Sequence, residues 1–300
     1  MLKTLIQRTL ALLGFAALAS CTTPATTVTG PSGRPALWQV ADHDTTVYLF
    51  GTIHLLPPNV DWRSPKLDQA LTGSQSLVVE TLIDERNPAA LIAELQRLGF
   101  RPGLPPLAER VSPERRAKLL AAIAKSGLPP ATFDRMETWT AAFVLLGNQF
   151  KELGLATNAG VESVLRRAFT EAGKPVAQLE TNAEQLGLFD ALPESAQRAL
   201  LEGAIDNPGD MRTQFSAMLD AWVRGDVDAI ARTFNQDLAA SPELREALLR
   251  RRNANWSNWV ARRMAAPGSV FVAVGAGHLA GSDSVIAMLE QSGYKVRRIQ

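Results

Sequence analysis

Segments with the pattern of β-strands lie mainly near the two ends of this chain, and long helical stretches separate them. Two short apolar runs, Ala36–Ala41 and Thr45–Gly51, flank a short polar turn and predict a β-hairpin. Helical patterns occupy most of residues 88–158 and 184–264. Further strands are predicted at Ser76–Glu80, Val176–Glu180, Ser269–Gly275 and Lys295–Ile299. Strands so distant in sequence can share a sheet when the helices lie outside it. The pattern therefore predicts one α/β domain, with a central mixed sheet built from N- and C-terminal strands and a large helical insertion.

Ionisable side chains stand at the ends of four of these predicted strands. His54 follows the second strand in the sequence Gly-Thr-Ile-His, and His278 follows the fifth in Gly-Ala-Gly-His. Glu80 and Glu180 end the third and fourth strands. Open α/β sheets bind ligands at the carboxyl ends of their parallel strands. If these strands are parallel neighbours, two imidazoles and two carboxylates converge on one crevice.

The chemistry of such a crevice has two interpretations. Two imidazoles and a carboxylate are a common ligand set for a divalent metal ion, which would lower the pKa of a bound water. The same groups can act without metal, with one histidine as general base and a glutamate orienting it. Each residue also has a purely structural interpretation: His54 can be a buried core residue, and Glu180 can cap the next helix. His43, between two aspartates in the predicted turn, is expected to be solvated.

Two further segments carry polar residues that can reach the crevice. Arg252 and Asn253 lie on the long helix before the fifth strand, where Asn253, Trp256 and Val260 share one face. The default interpretation is a core position for Trp256 and a solvated one for the arginines; the alternative is that an arginine and Asn253 hold an oxyanion or a carboxylate. Glu162 opens another helix, where an acid can simply interact favourably with the helix dipole.

The first residues have the pattern of an export signal. Residues 1–20 contain Lys3 and Arg8, no acid, and a short apolar run, which predicts a cleaved signal peptide. Small residues then precede Cys21, the one cysteine in the chain, as in a bacterial lipobox. We expect lipidation of Cys21, a flexible tether over residues 21–35 and a folded domain over 36–300. Thr22 after the cysteine favours the periplasmic face of the outer membrane.

Charge restricts the partners of the folded domain. The chain has 31 Lys and Arg against 30 Asp and Glu, a formal net charge of +1, and no basic stripe is visible. Nucleic acid is therefore not expected as a partner. The expected partners are a membrane, contacted through the N-terminal lipid, and a peptide or small-molecule substrate.

Several motifs in order along the chain resemble the TraB/GumN family, which includes Tiki-like proteins. The motifs are YLFGTIHLLP at Tyr48–Pro57, Val-Val-Glu at 78–80, Gly-Val-Glu at 160–162, Gln-Leu-Glu-Thr at 178–181, Arg-Asn at 252–253 and VAVGAGHLAG at Val272–Gly281. The resemblance implies a fold shared with Tiki proteases and erythromycin esterases. It also implies a metal-dependent protease that uses Mn or Co.

Carried over to this chain, the resemblance implies that His54, Glu80 and His278 are metal or catalytic groups. Arg252 and Asn253 would then support them, and Glu162 and Glu180 would lie around the ligands. The family often has Asp where this chain has Glu162. The leading hypothesis is a metal-dependent hydrolase, expected to be a peptidase, with Mn, Co or Zn. One alternative is an accessory lipoprotein without catalysis that binds haem, iron or another ligand. The other is a metal-free, esterase-like hydrolase.

Overall fold

The computed structural model describes residues 33–57, 60–83, 88–155, 160–205, 208–238 and 241–300. The predicted signal peptide, Cys21 and most of the predicted tether lie outside these residues. At the end of the tether, the backbone N–H groups of Gly33 and Arg34 donate to the carbonyls of Asp61 (2.9 Å) and Val223 (2.6 Å). Within the described part of the chain, no helix combines the length and apolar character that a membrane crossing requires.

The described residues include six strands that form one mixed sheet in the order β4-β3-β5-β2-β1-β6. The strands are β1 (Leu37–Ala41), β2 (Thr45–Thr52), β3 (Ser76–Val79), β4 (Val176–Gln178), β5 (Gly268–Gly275) and β6 (Val296–Arg298). Strands β4, β3, β5 and β2 run parallel, whereas β1 is antiparallel to both β2 and β6. The predicted hairpin, the six predicted strands and the α/β class are confirmed, with small differences at the strand ends.

Helices fill the sequence between the strands. They are α1 (Pro65–Gly73), α2 (Ala89–Gly99), α3 (Arg116–Ser126), α4 (Pro130–Asp134), α5 (Thr138–Glu152), α6 (Val161–Glu171), α7 (Asn182–Asp190), α8 (Glu194–Ala204), α9 (Pro208–Val223), α10 (Val227–Leu238), α11 (Pro242–Arg245), α12 (Arg251–Arg263) and α13 (Val285–Gln291). A π-helical turn, Glu246–Arg250, joins α11 to α12, and a 3₁₀ turn, Ala276–Leu279, follows β5. Strand β4 divides the helical insertion into two blocks.

Both faces of the sheet are covered, which explains the apolar character of β2 and β5. On one face, Val47 and Val272 belong to a buried cluster with Trp256 of α12 and Leu289 of α13. On the other face, Phe50 lies in the larger core formed with the helical insertion. Because the layers cover the faces, the carboxyl edge of the parallel strands is where side chains can gather around a ligand.

Candidate active site at the carboxyl edge of the sheet

The parallel strands bring the four predicted strand-end residues together. In the strand register Thr52 lies opposite Gly275, and Val79 lies opposite both Ala273 and Gln178, so the four strands end at one edge. The prediction that these strands are parallel neighbours is confirmed. The residues that follow them, His54, Glu80, Glu180 and His278, consequently share one buried region: the side chains of His54 and Glu180 are 10% and 12% exposed, and those of Glu80 and His278 less.

Glu80 occupies the centre of this region. Its Oε1 lies 4.0 Å from Nε2 of His54 and 4.0 Å from Nε2 of His278. The same oxygen accepts a hydrogen bond from the backbone N–H of Gly275 at 2.7 Å. Its Oε2 accepts hydrogen bonds from Nη2 of Arg252 at 2.7 Å and from Nε2 of Gln185 at 3.2 Å. The carboxylate is therefore held on both oxygens, with one imidazole on either side.

His54 is oriented by Glu162. The imidazole Nδ1 lies 2.7 Å from Oε1 of Glu162, and the hydroxyl of Thr52 donates to that same oxygen. The backbone N–H of Val161, at the start of α6, donates to the carbonyl of Ile53 at 3.1 Å, which ties this helix to the loop that carries His54. A carboxylate on Nδ1 fixes the proton there, so Nε2 is the nitrogen presented to Glu80.

His278 is held in the same manner by Asn253. The Nδ1 of His278 lies 2.6 Å from Oδ1 of Asn253, whose Nδ2 donates to the carbonyl of Asp283 at 2.7 Å. This network assigns the proton to Nδ1, and Nε2 accepts from Nη1 of Arg252 at 3.0 Å. Burial, together with the charges of Arg252 and His54, lowers the pKa of His278 well below 6.5. The imidazole is therefore neutral in the folded protein near pH 7.

Arg252 joins the two sides of the site. This side chain is 2% exposed, and its Nε donates to both oxygens of Glu180 at 3.0 Å while Nη2 donates to Glu80 and Glu180. Burial acts to lower the pKa of Arg252, but the carboxylates of Glu80 and Glu180 raise it above its ordinary value overall. Its Nη1 also donates to the carbonyl of Leu248 in the π-helical turn at 3.3 Å, and π-turns are frequent at functional sites. The solvated position predicted for the arginines is found for Arg250 and Arg251 but not for Arg252.

Glu180 is an ion-pair partner of Arg252, and the neighbouring Thr181 caps α7 with its side chain. Burial raises the pKa of the Glu180 carboxyl, and the pairing with Arg252 opposes this shift. The indole Nε1 of Trp256 donates to Oε1 of Glu180 at 3.1 Å, and the Arg252 guanidinium lies 4.6 Å from the centre of the Trp256 ring. Trp256 thus has a core position, as predicted, and a polar contact with the site as well.

The donor set at Glu80 matches a divalent ion in chemistry and is more open in geometry than a loaded site. Ligand atoms on one ion, with bonds near 2 Å, lie about 3–4 Å apart. The two distances of 4.0 Å between imidazole nitrogens and Glu80 Oε1 are at the upper end of that range. In the described part of the chain, Asp42, His43 and Asp44 form another potential ligand group, at the exposed β1–β2 turn. Their ligand atoms all lie within 4.8 Å of one another.

Several contacts in the site have little or no signal in the sequence. Thr52 stands two residues before His54 at the end of the strand, which is a weak signal for a shared role. Gln185 donates to Glu80, and Nε1 of Trp222 donates to the carbonyl of Gly51 at 2.7 Å. Both residues lie within helices, at positions that belong to none of the recognised motifs. Gly51 is required for close packing, since a Cβ there would lie 2.9 Å from Cα of Ala276.

A profile of the TraB/PrgY/gumN family matches residues 36–298, which include every strand and all of the site residues described above. The chain belongs to the TraB/PrgY/gumN family. The resemblance expected from the motifs is thereby confirmed. This TraB/PrgY/gumN protein is similar to the uncharacterized protein YbaP of Escherichia coli strain K12, with 27% identity over 246 residues, 81% of this chain and 87% of the relative. The protein of the same name from Shigella flexneri matches with the same figures. No solved structure matches the chain.

Proposed function

We propose that this TraB/PrgY/gumN protein is a metal-dependent hydrolase, with peptide bonds as the expected substrate class and His54, Glu80 and His278 as the ligands of a divalent ion. The arrangement of the two histidines carries the proposal. Each has its Nδ1 anchored to an outer partner, Glu162 or Asn253, and each presents Nε2 to the same oxygen of Glu80. Histidines that bind metal nearly always have such a partner on the other ring nitrogen, because it fixes the ring and the tautomer.

The charges of the site also favour a cation. Glu80 and Glu180 contact the guanidinium of Arg252, and Glu162 contacts the imidazole of His54. With all three carboxyls ionised, the negative groups outnumber the positive ones by one if His54 is protonated and by two if His54 is neutral. A buried excess of negative charge is costly unless it is compensated. A divalent ion between the imidazoles and Glu80 would provide that compensation.

The protein side chains would have separate tasks in such a reaction. A bound Mn, Co or Zn ion supplies polarisation of a carbonyl oxygen and a lowered pKa for water. Glu162 keeps the Nδ1 proton of His54 in place, and Asn253 does the same for His278. Arg252 holds the side chain of Glu80 in one orientation. Because the side chains of this set are at least mostly buried, the site restricts the access of bulk water.

A metal-free hydrolase is the second candidate, and one contact favours it. The Nη1 of Arg252 lies 3.0 Å from Nε2 of His278. This hydrogen bond uses the lone pair on Nε2 that a metal ion would need. With that hydrogen bond kept, His54 with Glu162 would act as the general base for water, and Arg252 would stabilise negative charge on the reacting oxygen. Haem is a poorer match, because the groups between the two histidines are ion-paired rather than apolar.

Metal analysis combined with a hydrolysis assay tests both candidates. Purified protein is equilibrated with Mn, Co or Zn, and its metal content is measured beside that of a His54→Ala/His278→Ala variant. The control is His43→Ala, which removes the 87% exposed histidine of the Asp42–His43–Asp44 group and so separates an ion bound at that turn from one bound at Glu80. Peptide and ester panels are then assayed with and without chelator.

Each outcome has a defined meaning. About one ion per chain in the wild type and the control, lost in the double variant, together with hydrolysis stopped by chelator, supports the metal-dependent enzyme. Hydrolysis that needs His54 but survives chelator, with no bound ion, supports the second candidate. Equal metal content in all three proteins and no hydrolysis would contradict both.

A further inference from the structure

A second concave site lies away from the carboxyl edge. A cavity of about 420 Å³ opens beside β1 and β6, on the sheet face covered by α1. It is lined mainly by polar and charged side chains, namely those of Gln39, Tyr48, Lys66, Gln69, Arg297 and Arg298. None of the residues around Glu80 contributes to its wall. This cavity is referred to below as the basic cavity.

Two of the three cations of the basic cavity, Lys66 and Arg297, are held by neutral groups. Lys66 Nζ donates to the carbonyl of Ile299 at 2.7 Å, and Nη2 of Arg297 donates to Oε1 of Gln39 at 2.6 Å. The third cation, Arg298, donates through Nη2 to the carbonyl of Gly225 at 2.7 Å and through Nε to the main-chain oxygen of Gln300, the last residue of the sequence, at 2.6 Å. The acceptors of Lys66 and Arg297 fix these two side chains without cancelling their charge. The cavity wall also contains no acid.

The sheet places part of this set in a fixed row. Gln39 lies opposite Tyr48 in the β1–β2 register and opposite Arg297 in the β1–β6 register. The row shares its face with Leu37 and Phe50, which are fully buried in the larger core. The ring of Tyr48 packs against Phe271 and the larger core, whereas Gln39 and Arg297 add polar groups to the row. Because strand positions are rigid, its donors need little rearrangement to contact a ligand.

We propose that the basic cavity binds a ligand that carries a phosphate group. Lys66 and Arg297 bring two positive charges with neutral acceptors to one cavity, and a bound anion relieves their repulsion. Arginine and lysine are the side chains that proteins use for phosphate, since they donate several charge-assisted hydrogen bonds. The amides of Gln39 and Gln69 and the hydroxyl of Tyr48 would contact hydroxyl groups next to the phosphate. The ligand is either a free phosphate compound or the headgroup of an anionic lipid, and this binding does not depend on the proposed hydrolase.

Calorimetry and vesicle binding, both with the full chain, distinguish the two sources. Inorganic phosphate and glycerol 3-phosphate are titrated into the wild type and into Lys66→Gln/Arg297→Gln. Phosphatidylglycerol and phosphatidylcholine vesicles are tested with the same proteins, so that the N-terminal segment is common to every comparison. The control is Arg116→Gln/Lys118→Gln, which removes the same charge from exposed positions on α3.

The expected result is binding that weakens about tenfold or more in the cavity variant and is kept in the control. Loss confined to the soluble phosphates identifies a free ligand, and loss confined to phosphatidylglycerol vesicles identifies a lipid headgroup. Two results would overturn the proposal: no preference of the wild type for any of the anionic probes, or equal weakening in the cavity variant and the control.

Discussion

The buried guanidinium of Arg252 provides the sharpest test of how the site is stabilised. Replacing Arg252 with Met keeps much of the side-chain volume and removes the charge. Glu80 and Glu180, whose side chains are 4% and 12% exposed, then lose the cation that both of them contact. Removal of one partner from a buried ion pair costs about 3–5 kcal/mol, because the remaining charge is left uncompensated. We therefore expect the free energy of unfolding to fall by that amount.

A companion substitution separates charge from packing. Adding Glu180→Gln to Arg252→Met removes one of the stranded charges, and we expect it to restore at least about 1 kcal/mol. The defect of the single variant should also shrink as the pH is lowered, since protonation neutralises the carboxylates. If Arg252→Met destabilised the protein through packing alone, neither Glu180→Gln nor a lower pH would restore the free energy of unfolding.

Urea unfolding at neutral pH, followed by circular dichroism, measures these differences. The matched control is Arg250→Met, two positions earlier, where the arginine side chain is 64% exposed and 3.7 Å from Glu246. Exposed pairs of this kind contribute little, so a change below about 0.5 kcal/mol is expected there. If Arg252→Met cost no more than the control, the description of Arg252 as the centre of a buried charge network would be wrong.

Three further predictions rest on the same geometry, and a fourth rests on the sequence around Cys21. His278 has a lowered pKa, so its contribution to stability is present above pH 6.5 and is lost as the pH falls; His278→Asn should flatten the slope of unfolding free energy below pH 6.5 by up to about 1.4 kcal/mol per pH unit. Glu162→Gln should weaken metal binding about 10- to 100-fold, measured by competition with a chelator dye. Gly51→Ala should cost about 1–3 kcal/mol in urea unfolding, because its methyl group meets Ala276. Cys21→Ser should abolish incorporation of labelled palmitate.

The outcomes that would contradict these predictions are equally specific. An unchanged pH slope in the His278 variant would show that the imidazole has the same protonation in the folded and unfolded states. Gly73→Ala is the control for Gly51→Ala, because a Cβ at Gly73 meets no atom within 4 Å. Equal losses at the two glycines would exclude the close strand packing as the cause. Labelled palmitate on the Cys21→Ser protein would place the lipid on another residue.

Short-range patterns were sufficient to predict the strands and the residues that follow them. Alternating or continuous apolar runs identify a strand because the pleat sends its side chains to two faces, both of which are buried here. A residue that closely follows such a run, such as His54 or His278, then lies at the edge of the sheet. This placement does not depend on how the helices are arranged. The order of strands was not predictable in this way, since pairing depends on contacts between segments as distant as β2 and β5.

The supporting contacts of the site were the least predictable part. Residue type alone does not separate Arg250, Arg251 and Arg252, because the turn of the helix decides which of them is buried; the family resemblance is what singles out Arg252. Gln185 reaches Glu80 from α7, and the sequence around it contains no functional motif. Glu162 carried the ordinary signal of an acid at a helix start, and its contact with His54 depends on how α6 docks on the loop after β2.

The position of β5 has a consequence for how the protein reaches its folded state. This strand lies between β3 and β2 in the sheet, but about two hundred residues separate it from β2 in the sequence. It can therefore join the sheet only after most of the chain has been synthesised. Until then, the inner edges of β2 and β3 expose unpaired N–H and C=O groups that can pair with other chains. During synthesis from the N-terminus, these edges stay unpaired until nearly the last residues have been made, and the chain must be shielded from self-association for that time. A shortened chain that ends before β5 would therefore be prone to aggregation.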